Sequence, residues 1–244
     1  MKQALIIICL LLVSCASDDT TNPQNNSSLL AYIDGKTFET GAVIACSGND
    51  VADSNTVEVY FFPEDNSENF KLFQTNSSNL DPNDYSNYNQ LTVADEPFFN
   101  GTLRKFAGVF DSERWFIVSY ELDNDIKLSN PIRIKQLTQP TLFSDAIMIN
   151  QDASQMPLFS WDINSEAQNA IFFQVVSTVD DDLISGTYTF ENQFQYYNTS
   201  NVVLNITEGT PRDLPVGETF KFTVVDVSED NWVNQLFITQ FTVE

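Results

Sequence analysis

The sequence predicts an all-β protein built from two tandem β-sandwich domains, and three observations support this prediction. After Cys15, no segment carries apolar residues at the helical spacing i, i+3, i+4, i+7 over several turns. Short runs of β-branched and aromatic residues recur instead, separated by clusters of Asn, Asp, Gly and Pro, which is typical of sandwiches and barrels. The length after Cys15, about 230 residues, suits two domains of ordinary size or one large β domain.

The first fifteen residues have the layout of an export signal. Lys2 supplies one positive charge, residues 4–13 form an unbroken apolar run, and Ser14 precedes Cys15. The run is about ten residues long, whereas a membrane-spanning helix needs roughly 20. We therefore expect this segment to be a processing signal and not a permanent anchor.

The end of this signal resembles the bacterial lipobox. Residues 12–15 read Leu-Val-Ser-Cys, and the resemblance implies a lipoprotein signal peptide over residues 1–15 with a lipidated Cys15. The alternative is an ordinary secretory signal, after which Asn-x-Ser/Thr triplets such as the one at Asn205 would be glycan acceptors.

Residues 16–28 are predicted to be a flexible tether. They are mainly Asn, Thr, Ser and Asp without an apolar pattern, so they cannot bury enough surface to fold. The tetrapeptide at 16–19, Ala-Ser-Asp-Asp, resembles the acidic export tag of surface lipoproteins from Bacteroidota. This resemblance implies a lipid-anchored protein on the outer face of the outer membrane, and the alternative is a solvated acidic tether.

The composition excludes several classes of function. Lys and Arg number 11 against 34 Asp and Glu, a net charge of −23, which disfavours binding to nucleic acid or to anionic lipid. There is no histidine, so His-based triads and His-ligated zinc are excluded. Phosphate-binding and dinucleotide-binding glycine motifs are also absent from the sequence. We expect no cofactor and no enzymatic activity, with two-carboxylate glycoside hydrolysis as the one chemistry left open.

Cys46 is predicted to be a buried apolar side chain. It is the only cysteine beyond Cys15 and it ends the apolar run of residues 42–46. A lone thiol cannot form an intramolecular disulfide, and without histidine it lacks the usual partner that generates a thiolate.

Pro140 marks the predicted boundary between the two halves. The strand pattern of residues 131–135 ends before it, and proline cannot continue a central strand. We therefore expect an N-terminal β domain over residues 29–138 and a second β-sandwich over residues 139–244.

Four segments of the second half resemble strands of a fibronectin type III domain. Residues 157–161 resemble strand B with its core tryptophan, residues 170–177 resemble strand C, and residues 201–207 resemble strand E. Residues 214–224 resemble the loop leucine, the Pro-x-Gly turn and the alternating strand F. Phe220 replaces the usual tyrosine of that strand and cannot donate the hydroxyl hydrogen bond that fixes the corner. The resemblance covers residues 140–244 and implies a fold, not a function.

The first half contains clear strand signals of its own. The Asp34-Gly35 pair between apolar segments predicts a hairpin, and residues 56–62 predict a strand. In residues 114–122, alternate positions place Phe116, Val118, Tyr120 and Leu122 on one face, which should point at a core. With residues 126–135, this segment is laid out like the last two strands of the second half. Two alternatives remain open, a diverged duplicate of the sandwich and an unrelated β domain.

Aromatic side chains in polar loops are the leading candidates for ligand binding. A flat ring beside Asn, Asp or Gln can stack on a sugar while the polar groups bind its hydroxyls, although such rings can equally fold back to cap the sandwich. The candidates are Trp232, Tyr85, Tyr88, Tyr196 and Tyr197 as stacking platforms, with Asp230, Asn231 and Asn87 as polar partners.

Calcium is the one metal that the composition allows, because hard cations prefer oxygen ligands. Asp81, Asn83 and Asp84 form the best candidate cluster, but Tyr85 stands where an EF-hand loop needs a third ligand. Solvated turns are the alternative interpretation of this cluster.

These observations favour a non-enzymatic, membrane-anchored binding module, with an extracellular carbohydrate as the leading ligand. Two alternatives from other classes are an assembly subunit that docks on an outer-membrane protein and a small carboxylate-based glycosidase. No partnership with nucleic acid is expected.

Substituting Cys15→Ser should abolish lipidation, because only the thiol can form the thioether. We expect the wild-type protein to incorporate radiolabelled palmitate and to fractionate with membranes, and the variant to do neither. Recovery of unlabelled wild-type protein that retains Met1 in the cell interior would contradict the prediction.

Overall fold

The computed structural model describes residues 28–163, 168–207 and 209–244, and their regular structure is almost entirely β. The predicted signal peptide, Cys15 and residues 16–27 of the predicted tether lie outside the described residues. The described helices are one turn of α-helix, α1 (Leu29–Ile33), and a 3₁₀ turn (Tyr85–Asn87). No helix in the described ranges has the length and hydropathy of a membrane span. The all-β prediction is confirmed.

The first half forms two sheets. Sheet I has the strand order β1-β9-β8-β4-β5, with β10 paired to β8, and sheet II has the order β2-β3-β7-β6. The strands are β1 (Phe38–Val43), β2 (Ala45–Asn49), β3 (Thr56–Phe61), β4 (Glu68–Gln74), β5 (Asn89–Leu91), β6 (Asp95–Phe98), β7 (Leu103–Val109), β8 (Trp115–Leu122), β9 (Asp125–Ser129) and β10 (Ile132–Arg133).

The second half also forms two sheets. Sheet III has the order β11-β19-β18-β14-β15-β17 and sheet IV the order β12-β13-β16. The strands are β11 (Leu142–Ser144), β12 (Ile147–Asn150), β13 (Leu158–Trp161), β14 (Ile171–Ser177), β15 (Leu183–Thr189), β16 (Gln193–Gln195), β17 (Val202–Asn205), β18 (Thr219–Val227) and β19 (Val233–Thr242).

The two halves share one topology. The order β1-β9-β8-β4-β5 of sheet I recurs as β11-β19-β18-β14-β15 in sheet III, and β2-β3-β7 recurs as β12-β13-β16. In the first half β1 pairs in parallel with β9, and in the second half β11 pairs in parallel with β19. This correspondence favours the duplicated sandwich over an unrelated N-terminal domain. The predicted boundary between residues 138 and 139 lies in the segment that joins β10 to β11.

Each half buries its own core between its two sheets. In the first, Phe61 of sheet II and Phe116 of sheet I belong to one buried cluster. In the second, Phe159 of sheet IV stacks on Phe222 of sheet III at 3.7 Å between ring centroids. Trp161 belongs to the same cluster, as expected from the resemblance of its strand to strand B.

The predicted hairpin at Asp34-Gly35 is wrong, because the preceding apolar segment is helix α1. The Ser28 hydroxyl caps this helix by accepting a hydrogen bond from the amide of Ala31 (3.2 Å). Leu29 and Ile33, one helical turn apart, are both buried. Gly35, with φ of 68°, then turns the chain into β1.

The assignment of residues 201–207 to strand E is also wrong. Their strand, β17, pairs with β15 at the edge of sheet III. The position beside β13, which strand E occupies in a fibronectin type III domain, belongs to β16.

Tyr196 supplies the hydrogen bond that Phe220 cannot make. Phe220 is buried in the core as expected, and the hydroxyl of Tyr196, just beyond β16, donates to the carbonyl of Arg212 (2.6 Å). Arg212 lies two residues before the buried Leu214, so this bond fixes the loop that leads into β18.

Removing this hydroxyl with Tyr196→Phe should lower the free energy of unfolding by about 1 kcal/mol, the net value of one hydrogen bond. The adjacent Tyr197, whose hydroxyl donates to the exposed Asp213, provides the control because Tyr197→Phe should cost less. Urea unfolding measures both variants, and equal losses would contradict the assigned role of Tyr196.

Candidate functional site

The loop between β18 and β19 docks into the first sandwich. Trp232 is fully buried within the core cluster of the first half, and its indole Nε1 donates to the carbonyl of Gln139 (2.8 Å). The prediction that Trp232 is an exposed stacking platform is therefore wrong, since no part of its ring is open to a ligand. Its neighbours in sequence are polar because they bind the other sandwich.

Asp230 and Asn231, predicted to bind sugar hydroxyls, are likewise committed to this interface. Asp230 Oδ2 lies 2.7 Å from Lys135 Nζ, and the Asp230 carbonyl accepts a hydrogen bond from the amide of Arg133 (2.9 Å). The Asn231 carbonyl accepts from the amide of Ser47 (3.0 Å). We call residues 228–232 the clasp loop.

A second contact joins the two sandwiches beside the clasp loop, and we call the two contacts together the clasp. Thr141, at the start of the second half, accepts a hydrogen bond from the amide of Asn49 (3.0 Å), and its own amide donates to Asn49 Oδ1 (2.9 Å). Gly48 lies beside this pair, and a Cβ there would come within 2.9 Å of the Cβ of Val233. A glycine is required because the two sandwiches approach so closely.

Tyr88 and Tyr196 cap the sandwiches and do not face solvent. Tyr88 is fully buried against α1, and its hydroxyl donates to the carbonyl of Pro82 (2.8 Å). Tyr196 is fully buried in the second core. The prediction of open platforms is wrong at both positions, because each ring fills space that its own sandwich would otherwise leave empty.

Tyr85, Asn87 and Tyr197 remain partly accessible, but the structure does not assemble them into one site. Tyr85 shares a hydrogen bond with Thr40 (2.9 Å) in the first sandwich, where Asn87 Nδ2 also donates to a backbone carbonyl. Tyr197 belongs to the second sandwich and is held there by Asp213.

The calcium candidates use their carboxylates to stabilise a turn. Asp81 accepts from the amide of Asn83 (2.9 Å), and Asp84 accepts from the amide and hydroxyl of Ser86. These hydrogen bonds from Ser86 lower the pKa of Asp84. Within the described ranges, no group of three or more acidic or cysteine side chains is placed to hold a metal ion.

A cleft with a volume of about 510 Å³ lies between sheets II and III. We call it the inter-sandwich cleft. Its size lies within the range typical of small-molecule sites, roughly 300–1,000 Å³. The outer face of sheet II forms one wall and the outer face of sheet III the other, so the four sheets lie in the order I, II, III, IV.

The wall from sheet II carries the polar groups of the cleft. Cys46, Tyr60 and Lys105 lie side by side on three neighbouring strands, because β2, β3 and β7 pair in that register. Glu58, only 4% exposed, accepts hydrogen bonds from the Tyr60 hydroxyl and from Lys105 Nζ (2.5 Å). This wall therefore contains a closed network of a carboxylate, a phenol and an ammonium group.

The wall from sheet III is mainly apolar. Its side chains come from alternate positions of β14, β15, β18 and β19, opposite to those that fill the second core. They include Phe173, Tyr188, Thr223, Val225, Leu236 and Ile238. One end of the cleft is closed where Phe99 and Leu103 of the first half pack against Phe173 and Val175.

The pKa shifts in the cleft keep the Cys46 thiol and the Tyr60 phenol protonated. Burial raises the pKa of the Cys46 thiol to about 12, so the thiolate is scarce at neutral pH. Burial and the charge of Glu58 raise the pKa of Tyr60 well above its ordinary value. Burial alone would lower the pKa of Lys105, but the hydrogen bonds and charges of Glu58 and Glu96 outweigh it, and the net shift is upward.

Glu58 and Glu96 do not form a glycosidase pair. Both contact the same ammonium group, at 2.5 Å and 3.3 Å from Lys105 Nζ, and all three side chains lie on one face of sheet II. A glycosidase needs a sugar between its two carboxylates, and here the ammonium occupies that space.

Sequence reasoning missed the cleft, although one signal points to it. Five of the seven residues of β14 (171–177) are apolar, including the adjacent pairs at 172–173 and 175–176, and all but the first residue are buried. A strand with only one covered face alternates, whereas a continuous apolar run is typical of a strand covered on both faces. The run therefore indicates that sheet III has a second partner.

The sequence matches no protein-family model and no curated protein. Among solved structures, the FN1-FN3 domains of chicken CNTN1 share 10% identity at a TM-score of 0.30, over 86% of this chain and 68% of that chain. A two-domain fibronectin type III segment of chicken tenascin shares 12% identity at a TM-score of 0.25, over 83% of this chain and 98% of that one.

The glycoside hydrolase domain of Endo-D from Streptococcus pneumoniae R6 shares 11% identity at a TM-score of 0.33, over 82% of this chain and 33% of that chain. Likeness at these scores concerns fold alone. It assigns no activity or ligand to this chain.

Replacing Trp232 with alanine should lower the free energy of unfolding by about 3–5 kcal/mol, because it empties a fully buried site in the core of the first half and removes a hydrogen bond to the carbonyl of Gln139. Trp232→Phe should cost less, since it keeps most of the ring. Urea unfolding followed by circular dichroism measures both variants. A loss for Trp232→Ala below about 1 kcal/mol, the size typical of surface sites, would contradict the clasp.

Proposed function

We propose that this protein is a lipid-anchored, non-catalytic binding protein of the cell surface, and that it holds an apolar small molecule in the inter-sandwich cleft. The observation that carries this proposal is the cleft itself, a concave site whose lining is mainly apolar and includes a few polar groups. Small-molecule ligands generally bind in concave, mainly apolar sites of this kind.

The physical argument is that this surface is costly to leave in water. Phe173, Val225 and Leu236 expose apolar faces to the cleft, and apolar burial is worth about 25 cal/mol per Å². A ligand that displaces the water gains this free energy on both walls at once. The clasp loop holds the walls in place, so the protein does not spend binding energy on ordering them.

The chemistry of the cleft supports binding over catalysis. The Cys46 thiol is protonated and the chain contains no histidine to activate it. Glu58 and Lys105 neutralise each other and are not free to act as general base or acid.

The proposed attachment of the protein to a membrane rests on the sequence alone. The lipobox-like segment and the tether would place the folded chain outside the cell, at the end of residues 16–28. A carbohydrate ligand has less support than an apolar one, because Trp232, Tyr88 and Tyr196 are buried.

Titration with N-phenyl-1-naphthylamine, a neutral dye that fluoresces in apolar sites, tests the proposal. We expect saturable one-to-one binding by the lipid-free protein, and at least about tenfold weaker binding when Val225→Trp or Leu236→Trp fills the cleft. Val216→Trp, at a site 60% exposed and outside the cleft, is the matched control and should leave binding unchanged.

Thermal melting of each variant separates loss of the site from loss of the fold. The use of two cleft variants keeps the test valid if one of them does not fold. Absence of binding by the wild type, or equal binding by all folded variants, would overturn the proposal.

A further inference from the structure

Four of the five charged side chains that line the inter-sandwich cleft form ion pairs within the protein. Lys105 pairs with Glu58 on one wall, and Lys221 pairs with Asp181 at 2.6 Å on the other. Asp50 is only partly buried, and its Oδ1 accepts hydrogen bonds from the amides of residues 52 and 53, both at 2.7 Å. Both lysines of the described lining are therefore already neutralised.

This pairing selects against ions of either sign. An ionic group that enters an apolar cleft loses its hydration and needs a counter-charge in return. Breaking the Glu58–Lys105 pair to provide one would leave the other member buried and unpaired, which is strongly unfavourable. The acidic balance of the whole chain disfavours anions further, and a cation would meet only Asp50, whose carboxylate already accepts two backbone hydrogen bonds.

Unlike the ion-paired side chains, the Tyr188 hydroxyl has no hydrogen-bond partner among the described residues. The tyrosine ring stacks on Phe173 in the middle of sheet III, with 4.5 Å between centroids and 24° between planes. Tyr188 lines the cleft, and its hydroxyl makes no hydrogen bond with any described residue. Because Tyr188 is only partly buried, this hydroxyl is accessible and can donate to a ligand atom in the cleft.

The surroundings of Tyr188 keep its hydroxyl a donor. Burial raises the pKa of Tyr188 above its ordinary value, and the Cys46 thiol is near enough to add to the shift. The Tyr188 ring stacks on Phe173, which favours its observed position. The hydroxyl is thus protonated and belongs to a residue that lines the cleft.

We infer that the ligand of the inter-sandwich cleft is a neutral apolar molecule with one hydrogen-bond acceptor, such as a carbonyl or ether oxygen, and that the Tyr188 hydroxyl donates to this acceptor. The inference rests on the proposed function and defines the chemical class of its ligand.

A charge series of one dye tests the neutral character. N-phenyl-1-naphthylamine is compared with its 8-sulfonate and with a derivative that carries a trimethylammonium group. We expect both ions to bind at least about a hundredfold more weakly than the parent. Comparable binding of either ion would overturn the inference that the cleft selects neutral ligands.

A carbonyl dye tests the role of Tyr188. The emission of 6-propionyl-2-(dimethylamino)naphthalene moves to longer wavelength when its carbonyl accepts a hydrogen bond. With Tyr188→Phe we expect about fivefold weaker binding of this dye and emission at shorter wavelength, while N-phenyl-1-naphthylamine binds as to wild type. Tyr197→Phe, outside the cleft, should change neither dye.

The two proposals fail differently. Unchanged affinity and emission of the carbonyl dye with Tyr188→Phe overturns the donor role, even when N-phenyl-1-naphthylamine binds normally. If the wild type binds neither neutral dye, the proposed function itself is overturned.

Discussion

The burial of Trp232 from the second sandwich in the core of the first is the interaction on which the rest of the structure depends. Two domains joined by a single segment move independently by default, unless an extensive apolar interface holds them. Here one ring completes the neighbouring core, and the hydrogen bonds of Asp230, Asn231 and Thr141 surround it. The clasp sets the separation of sheets II and III, and that separation defines the cleft.

The repeated topology explains why sheet III needs a partner at all. The equivalent sheet of the first half, sheet I, also has an apolar outer face, and helix α1 covers it with Leu29 and Ile33. In the second half no helix precedes the first strand, because β11 follows directly from the linker. Sheet II covers that face instead. A short helix fits closely over one sheet, whereas two broad sheets clasped at one end and packed at Phe99 leave a cleft between them.

Local patterns predicted the strands well and the role of the loops poorly. The alternation of β8 and the resemblance of β13, β14 and β18 to fibronectin type III strands depend on neighbours close in sequence, and the structure confirms those strands. The clasp depends on a contact across 93 residues, Trp232 with Gln139, which no local pattern encodes. A tryptophan flanked by Asn, Asp and Glu gives the same local sequence pattern whether its ring faces solvent or packs into a second domain. The site was missed for the same reason, since its walls come from different halves of the chain, and only the two-sided burial of β14 gives it a local signature.

The distance between the sandwiches tests the central claim most directly. Spin labels at Asp65→Cys in the first sandwich and Met148→Cys in the second, both exposed sites, can be measured by double electron–electron resonance in a lipid-free protein that carries Cys46→Ala. A rigid clasp predicts one narrow distance distribution, which broadens when Trp232→Ala is added. A broad distribution in the protein with Trp232 intact would show that the sandwiches move independently, and the cleft would then have no fixed form.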